Sequence, residues 1–253
     1  MGLFDAEPGK PTLLEHVMEI RGRLVKAALF FFVVSLFCYA FSQELFDYLA
    51  APAQGHLVYT HPVGGMMAYL KISFLCGALF SSPFTLYQVL AFLWPALGPA
   101  WRKALGWSLG IGYLLFALGV TFALKVLPMA MHFLLAFDRP GLRAMLNVDQ
   151  YFSFVFLITF GLGASFQMPL AIYFIARAGL VSAATLAKHW RLAVMACLIL
   201  GAMICPTPDL VTWLLVCVPL FLLYLISLAV ATWAERQRAG AGVPRQASSV
   251  EAP

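Results

Sequence analysis

The sequence predicts an all-α polytopic membrane protein with six transmembrane helices and both termini on the cytoplasmic side. Three observations carry that prediction. Charge is scarce: the 253 residues include only 16 Lys and Arg and 11 Asp and Glu, while 62% are apolar and 22 are Phe. An ordinary soluble domain is roughly 25% charged, against 11% in this chain. The charges are also unevenly placed, leaving charge-free runs at 27–43, 72–101, 104–124, 150–176, 192–208 and 210–234. Each run reaches or approaches the roughly 20 residues of a helix that crosses a bilayer core. The apolar character is continuous rather than alternating, which argues against a β-barrel. Finally, with six spans, twelve basic residues fall on the side of the termini and four on the other (Lys71, Lys125, Arg139 and Arg143). The positive-inside rule makes the side of the termini cytoplasmic. This composition excludes a soluble globular enzyme, a disordered chain and a nucleic-acid-binding domain. The net charge of +5 therefore reads as a topology signal, and no nucleic-acid partner is expected.

The elements follow in order. Residues 1–236 form a single six-span domain, and 237–253, rich in Ala, Gly, Ser and Pro, form a disordered cytoplasmic tail. An amphipathic helix over 12–26 leads into span one: Thr12 and Glu15 make a capping box. Leu13, Val17, Ile20 and Leu24 recur on one face, with Glu15, Glu19, Arg23 and Lys26 towards the other. A signal peptide cleaved near Ala51-Pro52-Ala53 is disfavoured, because the preceding charged region is long and holds four acids. The first outer loop, 44–69, is expected to be ordered by packing on the second outer loop.

Span three is followed by Lys125 and a further apolar run, 126–137, with Pro128 near its start. It reads as the kinked end of the same helix extending beyond the membrane, with a separate half-helix as the alternative. Spans five and six read as short, because Pro206 and Pro208 leave only a tight turn between them. Pro83, Pro95, Pro128 and Pro169 are expected to interrupt or end helices. Asp209 is placed to cap helix six.

Two readings of Glu19 stay open on spacing alone. One is an i,i+4 pair with Arg23, worth about 0.3–0.5 kcal/mol. The other is a carboxylate presented to an incoming cation, where a bidentate arginine contact would be stronger. Gln167 lies deep in helix four, where an amide needs a partner or water. The five cysteines lack metal-ligand spacing and read as small apolar packing residues. His56 and His61 have no clustered acid or thiol beside them, so no metal site is expected. No phosphate-binding loop occurs, and no cofactor is expected.

Several motifs, in register, resemble one family. His16-Val17-Met18-Glu19-Ile20-Arg21-Gly22-Arg23-Leu24 is similar to the H-L-x-E-L-R-x-R-L signature of TatC, the receptor subunit of the twin-arginine protein translocase. Ala51-Pro52 resembles that family's A-P turn, and Leu70-Lys71-Ile72 the lysine starting its second helix. Ser82-Pro83 and the run from Tyr87 through Gln88, Phe92 and Pro95 to Leu97 resemble the pattern closing that helix. Phe160-Gly161 with Ser165-Phe166-Gln167-Met168-Pro169 resembles a helix-four motif. Pro206-Thr207-Pro208-Asp209 resembles the turn before helix six. The resemblance runs from residue 13 to about 235.

The resemblance implies a curved wall with a concave face and a receptor without catalysis. It implies a place in a prokaryotic cytoplasmic membrane, TatA-type and TatB-type single-span partners, and a homo-oligomer among the expected assemblies. Its cargo would be folded proteins carrying twin-arginine signal peptides, exported on the proton-motive force. Signal-peptide binding would fall to Glu19, Arg21, Trp101, Arg102 and Gln167. Pro52, Lys71, Gln88, Phe92, Pro95, Pro169, Pro208 and Asp209 would shape helices and loops. One departure stands out: the family's second cytoplasmic acid belongs just before Arg102 and Lys103, and Trp101 occupies that position. One acid is then enough, or Glu15 helps, or Trp101 meets an arginine through its ring face, or the cargo signal differs.

Two other functions are weaker. An intramembrane serine protease would need more than half of G-x-S-x-G at Gly163-Ala164-Ser165 and a His base in a later span. A small-solute or ion transporter would need intramembrane ionisable groups beyond Lys71 and Lys125.

Overall fold

The computed structural model describes residues 13–53, 55–97, 102–139, 144–205 and 209–240. Pro206 and Pro208 of the expected tight turn, Thr12 of the expected capping box and residues 241–253 of the expected tail lie outside them.

The fold is helical throughout, with one short strand pair. Helix α1 (Leu13–Tyr39) is followed by α2 (Ser42–Ala50), a 3-10 turn (Ala51–Ala53) and β1 (Leu57–Val58). Two long helices come next, α3 (Gly64–Leu97) and α4 (Arg102–Leu135). Then follow β2 (Leu146–Asn147), α5 (Val148–Ser165), α6 (Met168–Ala178), α7 (Ala183–Lys188), α8 (Trp190–Ile204) and α9 (Leu210–Gly240). Five stretches are long and apolar enough to cross a bilayer, α5 and α6 together making one of them, and α8 is a shorter apolar sixth. The 12–26 segment is continuous with the first span, because nothing in 13–39 breaks the helix.

Three proline-based expectations are corrected. Span six is not short: α9 runs for 31 residues with Pro219 inside it. The prolines before Asp209 bear only on the start of this helix, and the charge-free run beyond them carries it on. Pro83 and Pro95 do not break α3, which is one helix of 34 residues. Pro128 does not divide α4 either, also 34 residues long, so the run after Lys125 continues the same helix as expected, and the half-helix alternative is ruled out. In lipid, local adjustment and neighbouring helices satisfy the carbonyl that a helical proline frees. Of these four prolines, Pro169 is the one that coincides with a break between described helices. It cannot donate to Ser165 four residues back, and the helix stops at Ser165 and restarts at Met168.

Packing is built on close helix crossings at small residues, as expected where lipid is as apolar as the side chains. Helix α1 lies antiparallel to α3. Phe30 stacks near Phe84, with ring centroids 4.5 Å apart, and a Cβ on Gly77 would fall 1.9 Å from Ser35 Oγ. A Cβ on Gly119 of α4 would meet Phe166 at 2.8 Å and the Gly163 backbone at 3.0 Å. Gly161 of α5 admits Ile204 of α8, and Gly201 of α8 admits Cys217 of α9. Helix α5 is the centre of the bundle: Phe152, Val155, Ile158 and Leu162 are fully buried. All five cysteines are buried and none is in a disulfide.

The two outer loops are joined. Strands β1 and β2 pair in parallel, Leu57 with Leu146 and Val58 with Asn147. At the opposite end, the termini end, where α1 starts and α9 finishes, α6 and α7 pack on α9 through Ala176, Ala183, Ala231 and Ala234.

Candidate functional site

The residues at the termini end begin with Glu19 on α1. Its Oε1 accepts from Arg23 Nε at 3.0 Å and Nη2 at 2.7 Å. The pairing is thus the one within the helix, and both side chains are partly exposed. An exposed i,i+4 pair is worth only about 0.3–0.5 kcal/mol, so an external guanidinium can exchange with Arg23 at low cost. Exposed Met18, Ile20 and Leu24 share these turns with Glu19, so the carboxylate stands beside apolar surface while keeping access to water. Arg21 is exposed on the same turn.

Because α1 and α3 are antiparallel, the register of Phe30 with Phe84 carries Glu19 level with the last turns of α3, near Pro95. Arg102 opens α4 just beyond. Trp101, the residue in place of the expected second acid, lies outside the described residues. Gln88 is buried and Phe92 half-buried on α3.

Gln167 is placed differently from expectation. It sits not inside a helix but at the joint between α5 and α6, capping α6 with Pro169 in its first turn. Its backbone N–H turns back to Ala164 O at 3.0 Å. Its side-chain Nε2 donates to Gly112 O of α4 at 2.9 Å. Its Oε1 is buried and takes no hydrogen bond. Gly112 makes this approach feasible, since a Cβ there would lie 2.9 Å from Leu170 Cδ2 and 3.3 Å from Gln167 Oε1. Half of the amide is therefore a packing bond between helices. The other half is an acceptor in want of a donor, costing about 1–3 kcal/mol while unmet.

At the loop end, Lys71 has a partner that sequence reasoning missed. Its Nζ donates to Asp149 Oδ1 at 2.5 Å, to Ser153 Oγ at 2.6 Å and to Asp149 O at 3.1 Å. The signal was present in Asn147-Val148-Asp149: Asn147 Oδ1 accepts from Asp149 N at 2.8 Å as the N-cap of α5, and an acid in a first turn suits the helix dipole. Around it, His56 Nδ1 donates to Ala144 O at 3.1 Å and lies 3.7 Å from Asp138 Oδ2. Tyr151 donates to Leu49 O at 2.6 Å. Pro52 sits in the 3-10 turn beside fully buried Ala53. Asp209 Oδ2 accepts from Thr212 N at 2.8 Å, the bond of an N-cap. Pro208 lies outside the described residues.

Of the expected binding residues whose side chains are described, Glu19 and Arg21 stand together on α1, and Gln167 stands apart from them at the joint against α4. Ser165 Oγ is engaged with Gly161 O of its own helix at 2.7 Å. Among the described residues, no three His, Cys, Asp or Glu side chains gather in a way that could hold a metal ion.

A family model described as Sec-independent protein translocase protein (TatC) matches residues 15–219. The chloroplast Sec-independent protein translocase protein TATC of Arabidopsis thaliana is 34% identical over 218 residues, 85% of the chain, and the chain spans 64% of that relative's length. The Sec-independent protein translocase protein TatC of Aquifex aeolicus is 33% identical over 234 residues, covering 89% of the chain and 97% of that protein. A crystal structure of a twin-arginine translocase receptor, TatC, superposes with a TM-score of 0.78 at 34% identity. It covers 87% of the chain and 99% of its own.

Proposed function

The chain belongs to the TatC family of Sec-independent protein translocase components, and from that premise we propose that it is the signal-peptide receptor and core subunit of a twin-arginine translocase. It binds the arginine pair of cargo signal peptides and, driven by the proton-motive force, takes part in exporting folded proteins. The family is one of transport components, and the chain acts without catalysis.

The observation that carries this reading is Glu19: a partly exposed carboxylate whose partner among the described residues is an exchangeable same-helix arginine. An incoming signal displaces Arg23 and offers Glu19 a guanidinium with bidentate geometry. Arg21, Arg102 and Trp101 shape the surroundings of that contact, and the ring face of Trp101 receives the second arginine of the pair in place of an acid. The apolar part of the signal then inserts along the concave wall towards Gln167, whose unmet Oε1 accepts a donor from it.

TatA-type and TatB-type single-span proteins complete the machine, several copies of which assemble in a prokaryotic cytoplasmic membrane. Both termini face the cytoplasm. Residues 1–236 form the membrane domain and the remainder a cytoplasmic tail.

The test is complementation of a twin-arginine transport defect together with site-specific crosslinking of a twin-arginine signal peptide. Wild type restores export and crosslinks next to positions 19 and 101. Glu19→Ala loses both, and Trp101→Glu keeps both. Unchanged signal binding in Glu19→Ala overturns the assignment.

A further inference from the structure

Between helices α8 and α9 lies an open groove of about 290 Å³ lined by Val194, Cys197, Leu198, Val218, Phe221 and Leu222. At one end the crossing of Gly201 and Cys217 closes it, since a Cβ on Gly201 would fall 2.3 Å from Cys217 Sγ. At the other end stand Trp190 and Arg191, which open α8. Trp190 precedes Val194 by four residues and Leu198 by eight, while Arg191 precedes them by three and seven. Both therefore project along the stripe that lines the groove.

The charge at this end is uncompensated. Lys188, His189, Trp190 and Arg191 are all exposed, and among the described residues neither Lys188 nor Arg191 makes an ion pair. Arg191 lies instead over the Trp190 ring, 5.8 Å from its centroid. His189 Nδ1 donates to Thr185 O at 2.8 Å. On the neighbouring α9, Glu235 accepts from Ala183 N at 2.6 Å.

We infer that this groove and its basic rim form a binding site for one anionic phospholipid: an acyl chain lies between α8 and α9, and the phosphate headgroup meets Arg191 and Lys188. Three features select that occupant. The lining is apolar, so its walls lose dispersion contacts wherever the groove stands unfilled. The crevice is open along one side, with Val218 and Leu222 exposed, so a hydrocarbon chain can lie along it. The basic pair lies beside Trp190, a residue type suited to the headgroup level, and a basic rim attracts anionic headgroups. Helix α8 rises only about 22 Å, against a hydrocarbon core of roughly 30 Å, which keeps the rim and the groove within reach of one lipid.

The experiment is native mass spectrometry of the full chain in a neutral detergent, with equal amounts of a phosphatidylglycerol and a phosphatidylcholine of the same acyl chains. Wild type retains phosphatidylglycerol preferentially, by about fivefold for each basic residue, the ratio equivalent to about 1 kcal/mol apiece. Lys188→Gln with Arg191→Gln brings the two lipids to equal retention. Both side chains are exposed, so this variant folds and decides the question by itself. Val194→Phe, which fills the groove, lowers retention of both lipids. Excess inorganic phosphate leaves the bound lipid in place, because the acyl chain holds it. Equal retention of the two lipids by wild type, an undiminished preference in the double variant, or displacement by phosphate overturns the site.

Discussion

The two ends of the bundle use their polar groups in opposite ways. At the loop end the bonds reach across the chain. Lys71 is tied to Asp149 and Ser153, separated from it by 78 and 82 positions, and the strand pair holds two loops together. At the termini end, the pair that faces the proposed ligand is local: Glu19 and Arg23 stand four residues apart on one helix. Further along that end, polar bonds again join elements, with Arg177 donating to Gln237 Oε1 at 2.5 Å and Ala183 to Glu235. The difference teaches where rigidity is wanted. The loop end is latched, α6, α7 and α9 are clasped, and Glu19 is left with a partner that it can exchange.

The largest disruption is expected from the α1–α3 crossing that both ends depend on. Gly77→Leu puts side-chain atoms where Ser35 already stands, and overpacking of this kind costs about 1–3 kcal/mol or more. Loss of folded protein on size-exclusion chromatography is the expected result. A monodisperse, wild-type-like sample would mean that the crossing has room for a larger side chain.

A smaller loss is expected from unlatching the loop end. Lys71→Met leaves Asp149 without its cation, and because the pair is partly exposed the cost is about 1–2 kcal/mol. Thermal unfolding should record it, together with increased proteolysis of the outer loops. Signal-peptide binding at the opposite end should stay intact, and a parallel loss there would erase the contrast between the ends.

Gln167→Leu separates packing from function. It removes the bond to Gly112 O but also the unmet Oε1, so the two changes offset and stability moves by no more than about 1 kcal/mol. Transport should fall severalfold. If stability and transport fall together, Gln167 is a packing residue only.

The subtlest change concerns Arg23→Gln. An exposed helix pair contributes about 0.3–0.5 kcal/mol, so unfolding should hardly shift. Glu19 then has no internal competitor, and twin-arginine peptide binding should tighten by up to about twofold, the equivalent of that energy. Weakened binding would show that Arg23 helps to hold the carboxylate in place for the ligand.

Much of this fold was legible because charge exclusion from lipid is a strong rule. The gaps between charges located all six spans, and the distance from Leu192 to Pro206 foretold the short α8. The length of α9 was misread, since a proline turn governs only the helix end that it touches. Pro169 announced a break, yet Pro83 and Pro128 carry the same local signal and sit inside intact helices. Surrounding packing decides between those outcomes, and no single position encodes it. The candidate site divides in the same way. Glu19 and Arg23 were visible as a pair because they are four residues apart. Asp149 as the partner of Lys71, and Gly112 as the seat of Gln167, are contacts between distant segments and leave no spacing to read.

The strand pair between the outer loops also has a bearing on how the molecule is made. His56 and Ala144, which meet beside it, are 88 positions apart, and the whole of α3 and α4 lies between them. Contacts of such long range form only after the intervening chain has found its place. A chain still emerging from the ribosome therefore cannot close the latch until α3 and α4 have inserted and the segment after them has reached the far face. Closure of two residues of strand thus marks the moment when the first half of the protein is complete and α5 can dock at its centre.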